Sequence, residues 1–211
     1  MLLLPAVAVF VASGVVLAPE GSFDGSSATT TAVKATHLVC LAISWGATVW
    51  AIYVGGLVMF MNLPRHMMGG VRGKVFPACF RLTAASTALS AAAFAWLHRP
   101  WQAASSSAEE HRQLVILVAA VGLDLANLFF FSPRTLKVMQ ERHKVERSLG
   151  LGGQVFLDGW RSNAEAATSS ADLAAANGRF RTAHVRSALA TLASSAGLIA
   201  HTWYLAGKLE L

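Results

Sequence analysis

Four apolar runs constrain this chain more than any other feature. They cover 37–61, 75–97, 113–132 and 183–206. Each is close to, or longer than, the roughly 20 residues that a helix needs to cross the hydrocarbon of a bilayer. A backbone inside lipid has no water to satisfy its N–H and C=O groups, so these runs must be helices that bond internally. The expected fold is all-α: an integral membrane four-helix bundle. The charge content agrees, because only 13% of the residues are charged, against about 25% in soluble domains.

The chain opens on a shorter apolar stretch, "MLLLPAVAVFVASGVVLAPEGS". Residues 1–18 read as a secretory signal peptide or, uncleaved, as a signal anchor and short fifth helix. Residues 19–36 are then a luminal segment, 37–206 the transmembrane domain and 207–211 a tail. Basic residues set the orientation. Segment 62–74 carries Arg65, Arg72 and Lys74, and loop 133–182 carries Arg134, Lys137, Arg142, Lys144, Arg147, Arg161, Arg179 and Arg181. The other side has only Lys34, Arg99, Arg112 and Lys208. The Lys/Arg excess faces the cytoplasm, which places 62–74 and 133–182 there and both ends of the mature chain on the lumenal or outer side. The net charge of +6 is accounted for by this topology, and the aromatics lie in the apolar runs, so nucleic acid is not an expected partner.

Within loop 133–182, residues 134–149 combine mixed charge with a strip of Leu136, Val138, Met139, Val145 and Leu149. This predicts a cytoplasmic amphipathic helix lying near the headgroups, or else an extension of the third span. Residues 160–178 are rich in Ala and Ser, and their conformation is left open. Thr83, Ser86, Thr87 and Ser90 share one face of the second run, with Ala84, Ala88, Ala91 and Ala95 beside it; Ser187, Thr191, Ser194 and Gly197 repeat the pattern in the fourth. Small residues and hydroxyls at this spacing let membrane helices approach closely.

Ionisable groups inside a span are costly and mark candidate sites. Arg81 and Asp124 lie at similar depth, about 9–12 Å from the same interface at 1.5 Å per residue, and a pair between them is the expectation. Asn127 shares the face of Asp124. Seven histidines are present, none paired at the close helical spacing of a metal site. Cys40 and Cys79 sit within apolar runs and predict no disulfide. No nucleophile elbow, phosphate loop or carboxylate pair is visible. No catalytic residue, metal ligand or cofactor is expected.

The stretches "HLVCLAISWGATVWAIYVGGLVMFMNLPRH", "GKVFPACFR" and "PRTLKVMQERHKVERSLGLGG" resemble the transmembrane protein 205-like family, a four-helix membrane domain of unknown function, and with the leader the chain resembles its green-plant form. The matching positions are His37, Trp45, Gly46, Trp50, Gly55, Pro64, Arg65, His66, Pro77, Pro133, Thr135, Met139, Arg142 and His143. The resemblance implies an integral membrane protein and carries no reaction with it. His37, Trp45, Gly55 and Gly56 are also similar to copper-resistance D-like membrane proteins.

Three functions fit these features. The first is a non-enzymatic scaffold of the endoplasmic reticulum, secretory pathway or plasma membrane that recruits a partner, or binds anionic headgroups through Arg142, Lys144 and Arg147. The second is a solute, metal or haem handler using His37, Asp124 and Asn127. The third is an accessory subunit that packs its small-residue faces on another membrane protein or on a second copy of itself.

Overall fold

The computed structural model describes residues 25–98 and 107–208. The expected leader, residues 19–24 of the following segment, Arg99 and 209–211 lie outside the described residues. Seven α-helices make up the described chain: α1 (Gly25–Ala47), α2 (Gly55–Asn62), α3 (Arg65–His98), α4 (Ala108–Ala126), α5 (Ser132–Ser148), α6 (Phe156–Ser169) and α7 (Ala171–Ala206). Two π-helical segments, Thr48–Val54 and Asn127–Phe131, join α1 to α2 and α4 to α5 without a break. The described residues contain no strand; one isolated backbone bridge links Pro64 and Val155.

Among the described residues, three helices are long and apolar enough to cross a membrane: Ala28–Asn62, Arg65–His98 and Ala108–Ser148. They carry exposed Trp50, Leu57, Val118, Phe129 and Phe130, the outward apolar surface that lipid requires. The fourth expected span, 183–206, lies within the 36 residues of α7. Its hydroxyl and imidazole side chains make it less apolar than the other three.

Two expectations about boundaries change. Segment 62–74 is not a loop. The helix breaks only at Leu63 and Pro64, and Arg65, His66, Arg72 and Lys74 form the first turns of α3. Nor does 134–149 form a separate interfacial helix. It continues the third apolar helix, and Met139, Arg142, His143 and Glu146 on it are buried. Charge alone does not end a helix when the inward-facing charges find partners. The Ala/Ser-rich 160–178 is helical, divided by Ser170, whose hydroxyl accepts the Leu173 N–H at 3.3 Å and caps α7.

Local chemistry sets the other ends. At the start of α4, Ser107 and Glu110 form a capping box: each side chain accepts the other's backbone N–H, at 3.2 and 3.0 Å. α5 ends in a Schellman motif, where Leu151 N–H reaches Glu146 O at 2.8 Å and Gly150 N–H reaches Arg147 O at 3.1 Å. Gly150 has φ +69°, the left-handed conformation this motif needs. In the first π segment, the Gly55 N–H bonds to Trp50 O. A Cβ at position 55 would lie 2.9 Å from that carbonyl, so the wide turn and the glycine require each other.

The chain divides into two compact units. The first comprises the described residues up to Gly46, those within Leu82–Gly122, and those from Ser194 onwards. It packs one stretch each of α1, α3, α4 and α7 around Leu41, Ala91, Phe94, Leu117, Ala120 and Leu198. Thr83, Ser86, Thr87, Ser90 and Ser194 are buried here, and Ser44 and Thr87 hydroxyls lie 3.0 Å apart. Of the alanine face, Ala84 and Ala91 are buried while Ala88 is exposed. The second unit comprises Ala47–Arg81 and Leu123–Ala193.

Candidate functional site

The second unit is organised around one carboxylate. Glu146 is fully buried. Arg65 donates from Nη2 to its Oε1 at 2.9 Å, and the Asn163 amide donates to the same oxygen at 2.8 Å. His66 Nε2 lies 3.1 Å from Oε2. Arg142 Nε lies 3.4 Å from Oε1, and His143 Nε2 4.0 Å from Oε2. Asn177 donates to the Asn163 carbonyl oxygen at 2.8 Å, and Arg65 Nη1 donates to Gly159 O at 3.0 Å. One side chain on α5 therefore gathers groups from α3, α6 and α7.

Glycines shape this cluster. A Cβ on Gly69 would collide with the His143 ring, and one on Gly152 with the His66 ring. Gly152 also has φ +103°. A Cβ on Gly159 would meet Gln154 O at 2.8 Å and the Arg65 stem at 3.2 Å. Phe156, at φ 51°, sits in a conformation uncommon for a bulky residue, and its ring packs on Phe60 with centroids 5.3 Å apart.

His66, His143 and Glu146 bring potential ligand atoms within 4.8 Å of one another, a triad that the sequence reading, which named no metal ligand, did not see. The donor types suit a transition metal. The charges do not: Arg65 and Arg142 both stand on Glu146, so a divalent ion would face two guanidiniums while competing for one carboxylate.

Beside the cluster is a cavity of about 330 Å³. Arg65, Arg72, Arg142 and His143 line it, with Phe60, Phe156, Trp160 and Phe180 as its aromatic wall. Arg142 lies 3.9 Å over the Phe180 ring, and Phe180 stacks on His184 at 5.5 Å. Arg72 Nη2 donates to Gly56 O at 2.8 Å. A second cavity, of about 190 Å³ and mostly apolar, shares Arg72, Met139, Phe180 and His184 with the first. Its remaining wall includes Ile52, Phe76, Phe80, Leu136 and Leu192.

The first unit holds a separate polar chain. The buried His37 places Nδ1 at 2.9 Å from Ser90 Oγ and 3.0 Å from Ser90 O. Its Nε2 lies 3.1 Å from Nε2 of His201, whose Nδ1 lies 3.0 Å from Gln113 Oε1. The Gln113 amide in turn donates to Glu109 Oε1 at 2.8 Å. Phe94 packs edge-on against His201, with centroids 5.0 Å apart.

The structure distributes the expected site residues unevenly. Arg65, His66, Met139, Arg142 and His143 meet at the Glu146 cluster and its cavity, and Pro64 forms the backbone bridge at its edge. Trp50 and Gly55 define the first π turn. Trp45 donates its indole N–H to Thr202 at 3.1 Å, and Thr135 donates to Phe131 O at 2.8 Å. Pro77 lies inside α3, Pro133 in the first turn of α5, and Gly46 in α1. Asn127 is buried, donating to Thr191 at 3.0 Å and accepting from Ser187 at 2.8 Å. Asp124 is buried whereas Arg81 is exposed. His37 belongs to one unit, Asp124 and Asn127 to the other. Arg142, expected at the headgroup surface, is buried, while Lys144 and Arg147 are exposed.

Sequence reasoning missed Glu146, Asn163, Gln113 and the meeting of His37 with His201. For Glu146 a signal existed: Met139, Arg142, His143 and Glu146 stand at i, i+3, i+4 and i+7, the spacing of a core-facing stripe, here filled mostly by polar residues. Asn163 and Gln113 lie in no comparable pattern.

Long apolar helices with buried polar centres define the class: a multi-pass α-helical integral membrane protein. Residues 39–144 match the family described as a domain of unknown function, DUF4149. Transmembrane protein 205 of Danio rerio is 31% identical over 140 residues, which cover 64% of this chain and 69% of that relative. The chain belongs to this family of transmembrane protein 205-like proteins. The family match spans Arg65, His66, Arg142 and His143 and ends before Glu146. No solved structure matches the chain significantly.

Proposed function

We propose that the chain is a non-enzymatic membrane scaffold of the secretory pathway whose cytoplasmic end binds anionic lipid. One observation carries this reading. On α5, the inward groups Arg142, His143 and Glu146 contact the protein itself, while Arg134, Lys137, Lys144 and Arg147 are exposed. The first set fixes the end of the domain; the second offers positive charge to headgroups, each worth on the order of 1 kcal/mol near an anionic surface. The groups that could do acid–base chemistry, His66 and Glu146, bond to each other. The scaffold reading includes the leader as a cleaved signal peptide, and 62–74 and 133–182 as cytoplasmic.

Lipid association of the purified chain with anionic and zwitterionic nanodiscs tests it. Lys144→Gln with Arg147→Gln should weaken the anionic preference, and no preference in the parent chain would refute the reading. For orientation, single cysteines at Lys74 and Arg161 should be labelled from the cytoplasm and one at Ser107 from the other side. Labelling of positions 74 and 107 from one side would overturn the topology. The mass of the mature N-terminus decides the leader.

The histidine chain of the first unit favours a second reading, proton or solute handling. Ser90, His37, His201, Gln113 and Glu109 form a continuous line of hydrogen-bonding groups. Proton flux into proteoliposomes that is lost in His201→Phe would support it. A Soret band or stoichiometric metal in the purified protein would support metal or haem handling instead.

A further inference from the structure

We infer that the two adjoining cavities of the second unit form an internal site for one anionic lipid, its acid headgroup between Arg72 and Arg142 and its chain entering the apolar cavity. This deepens the lipid-binding reading and rests on it: exposed Lys144 and Arg147 recruit headgroups in general, whereas the cavities would hold a single molecule.

Three observations converge. The first is unmet hydrogen bonding. Arg72 Nε, Arg142 Nε and His143 Nε2 are buried polar atoms with no hydrogen-bond partner among the described residues, and all three residues line the larger cavity. Folded proteins leave few such atoms. Arg142 and His143 are themselves more than nine-tenths buried. Arg142 Nε and His143 Nε2 have only long contacts to Glu146, at 3.4 and 4.0 Å, so an acceptor with several oxygens beside these side chains would add partners that the protein does not supply.

The second is charge. Among the described residues, three guanidiniums line the cavity and no acidic side chain does. Glu146 stands behind the wall and is shared by Arg65 and Arg142. Three guanidiniums against one carboxylate leave excess positive charge at the cavity, inside a membrane protein, where cations are kept only with partners. A phosphate or carboxylate headgroup matches the planar donor fork of arginine. A zwitterionic headgroup carries its own cation and fits worse.

The third is adjacency. The apolar cavity lies against the cationic one and shares Arg72, Met139, Phe180 and His184 with it. Its volume of about 190 Å³ exceeds the ~150 Å³ apolar cavity that accepts benzene, so it holds part of a hydrocarbon chain. A free inorganic anion would use only half of this arrangement.

The test uses the full chain purified in nonionic detergent. It is exposed separately to long-chain phosphatidic acid, to phosphatidylcholine with the same chains, and to inorganic phosphate. Bound lipid is counted by native mass spectrometry, and thermal unfolding is the second readout. One phosphatidic acid should be retained, with phosphatidylcholine held about ten-fold less well. Inorganic phosphate should give a smaller thermal shift than the lipid at equal concentration. Arg72→Gln should weaken retention about ten-fold, as expected for losing one charge-assisted contact. Ala188→Leu narrows the apolar cavity and touches no charge, so it should weaken retention of the long-chain lipid in a folded protein. Equal retention of both lipids, an equal shift from phosphate alone, or unchanged retention in both variants would overturn the inference. If retention falls in Lys144→Gln with Arg147→Gln but not in Arg72→Gln or Ala188→Leu, the cavity site fails and surface binding stands. If phosphatidic acid is not retained at all, both fail.

Discussion

Arg65 and Glu146, 81 positions apart in sequence, meet at 2.9 Å with the carboxylate fully buried. The contact joins the first turn of α3 to the last turns of α5. Because Glu146 O also accepts the Leu151 N–H at 2.8 Å, one residue both ends its helix and anchors its neighbour. Glu146→Gln should strand Arg65 and Arg142 and destabilise the detergent-solubilised protein by about 3–5 kcal/mol. Arg65→Gln should do less, since Arg142 and Asn163 still face the carboxylate. A double-mutant cycle on thermal unfolding measures the coupling, and additive losses would show that the contact does not stabilise the fold.

Neighbouring glycines give a sharper contrast. Gly152 combines φ +103° with the His66 ring where a Cβ would stand, whereas Gly153 has open space and no positive φ. Gly152→Ala should cost about 1–3 kcal/mol, and Gly153→Ala should be neutral or mildly stabilising. Unfolding temperatures of the two variants side by side check this. Equal effects would mean that the Gly152 backbone is not constrained as described.

Asn127 tests the hydroxyl face of α7. Its side chain bonds to both Ser187 and Thr191, and hydrogen bonds between membrane helices average about 0.6 kcal/mol each. Asn127→Ala should therefore cost about 1–2 kcal/mol. Combining it with Ser187→Ala should cost less than the sum, because the second change removes a partner already lost. Strict additivity in thermal unfolding would argue against the bond.

In the first unit, His201→Phe should leave His37 Nε2 and Gln113 Oε1 without their ring partner. Each stranded buried polar atom costs about 1–3 kcal/mol. The pair His37→Phe with His201→Phe should recover part of this loss on the His37 side, since neither ring nitrogen then needs a partner. A double variant as unstable as the sum of the singles would mean that the two rings are not coupled.

Periodicity and long apolar runs made the spanning helices legible, and "NLPRH" and "QERHKVER" marked the right neighbourhood. The basic residues at 65–74 suggested a loop because local charge density favours water. Arg65 and His66 are met by Glu146, about 80 positions away, and Arg72 by the Gly56 carbonyl, and no local rule reaches as far as Glu146. The same distance hid the sorting on α5. Arg142 and Lys144 read as one basic cluster, yet they are two residues apart and point to opposite sides, one inward to Glu146 and one to the surface. For Arg81 and Asp124, the sequence does not tell that the first is exposed and the second buried, because exposure depends on helix rotation, which counting residues does not give.

That rotation makes the π turn at Thr48–Val54 a matter of phase. An ordinary α-helix advances about 100° per residue, and a single wide turn absorbs one extra residue within an otherwise regular helix. The Gly56 carbonyl that accepts Arg72 at 2.8 Å lies just beyond that turn. Deleting one residue from 48–54 would rewind the segment and turn α2 by about 100° about its own axis, carrying the Gly56 carbonyl away from Arg72 on α3. The direction in which a cavity-lining arginine points is thus timed by a one-residue surplus in the helix beside it.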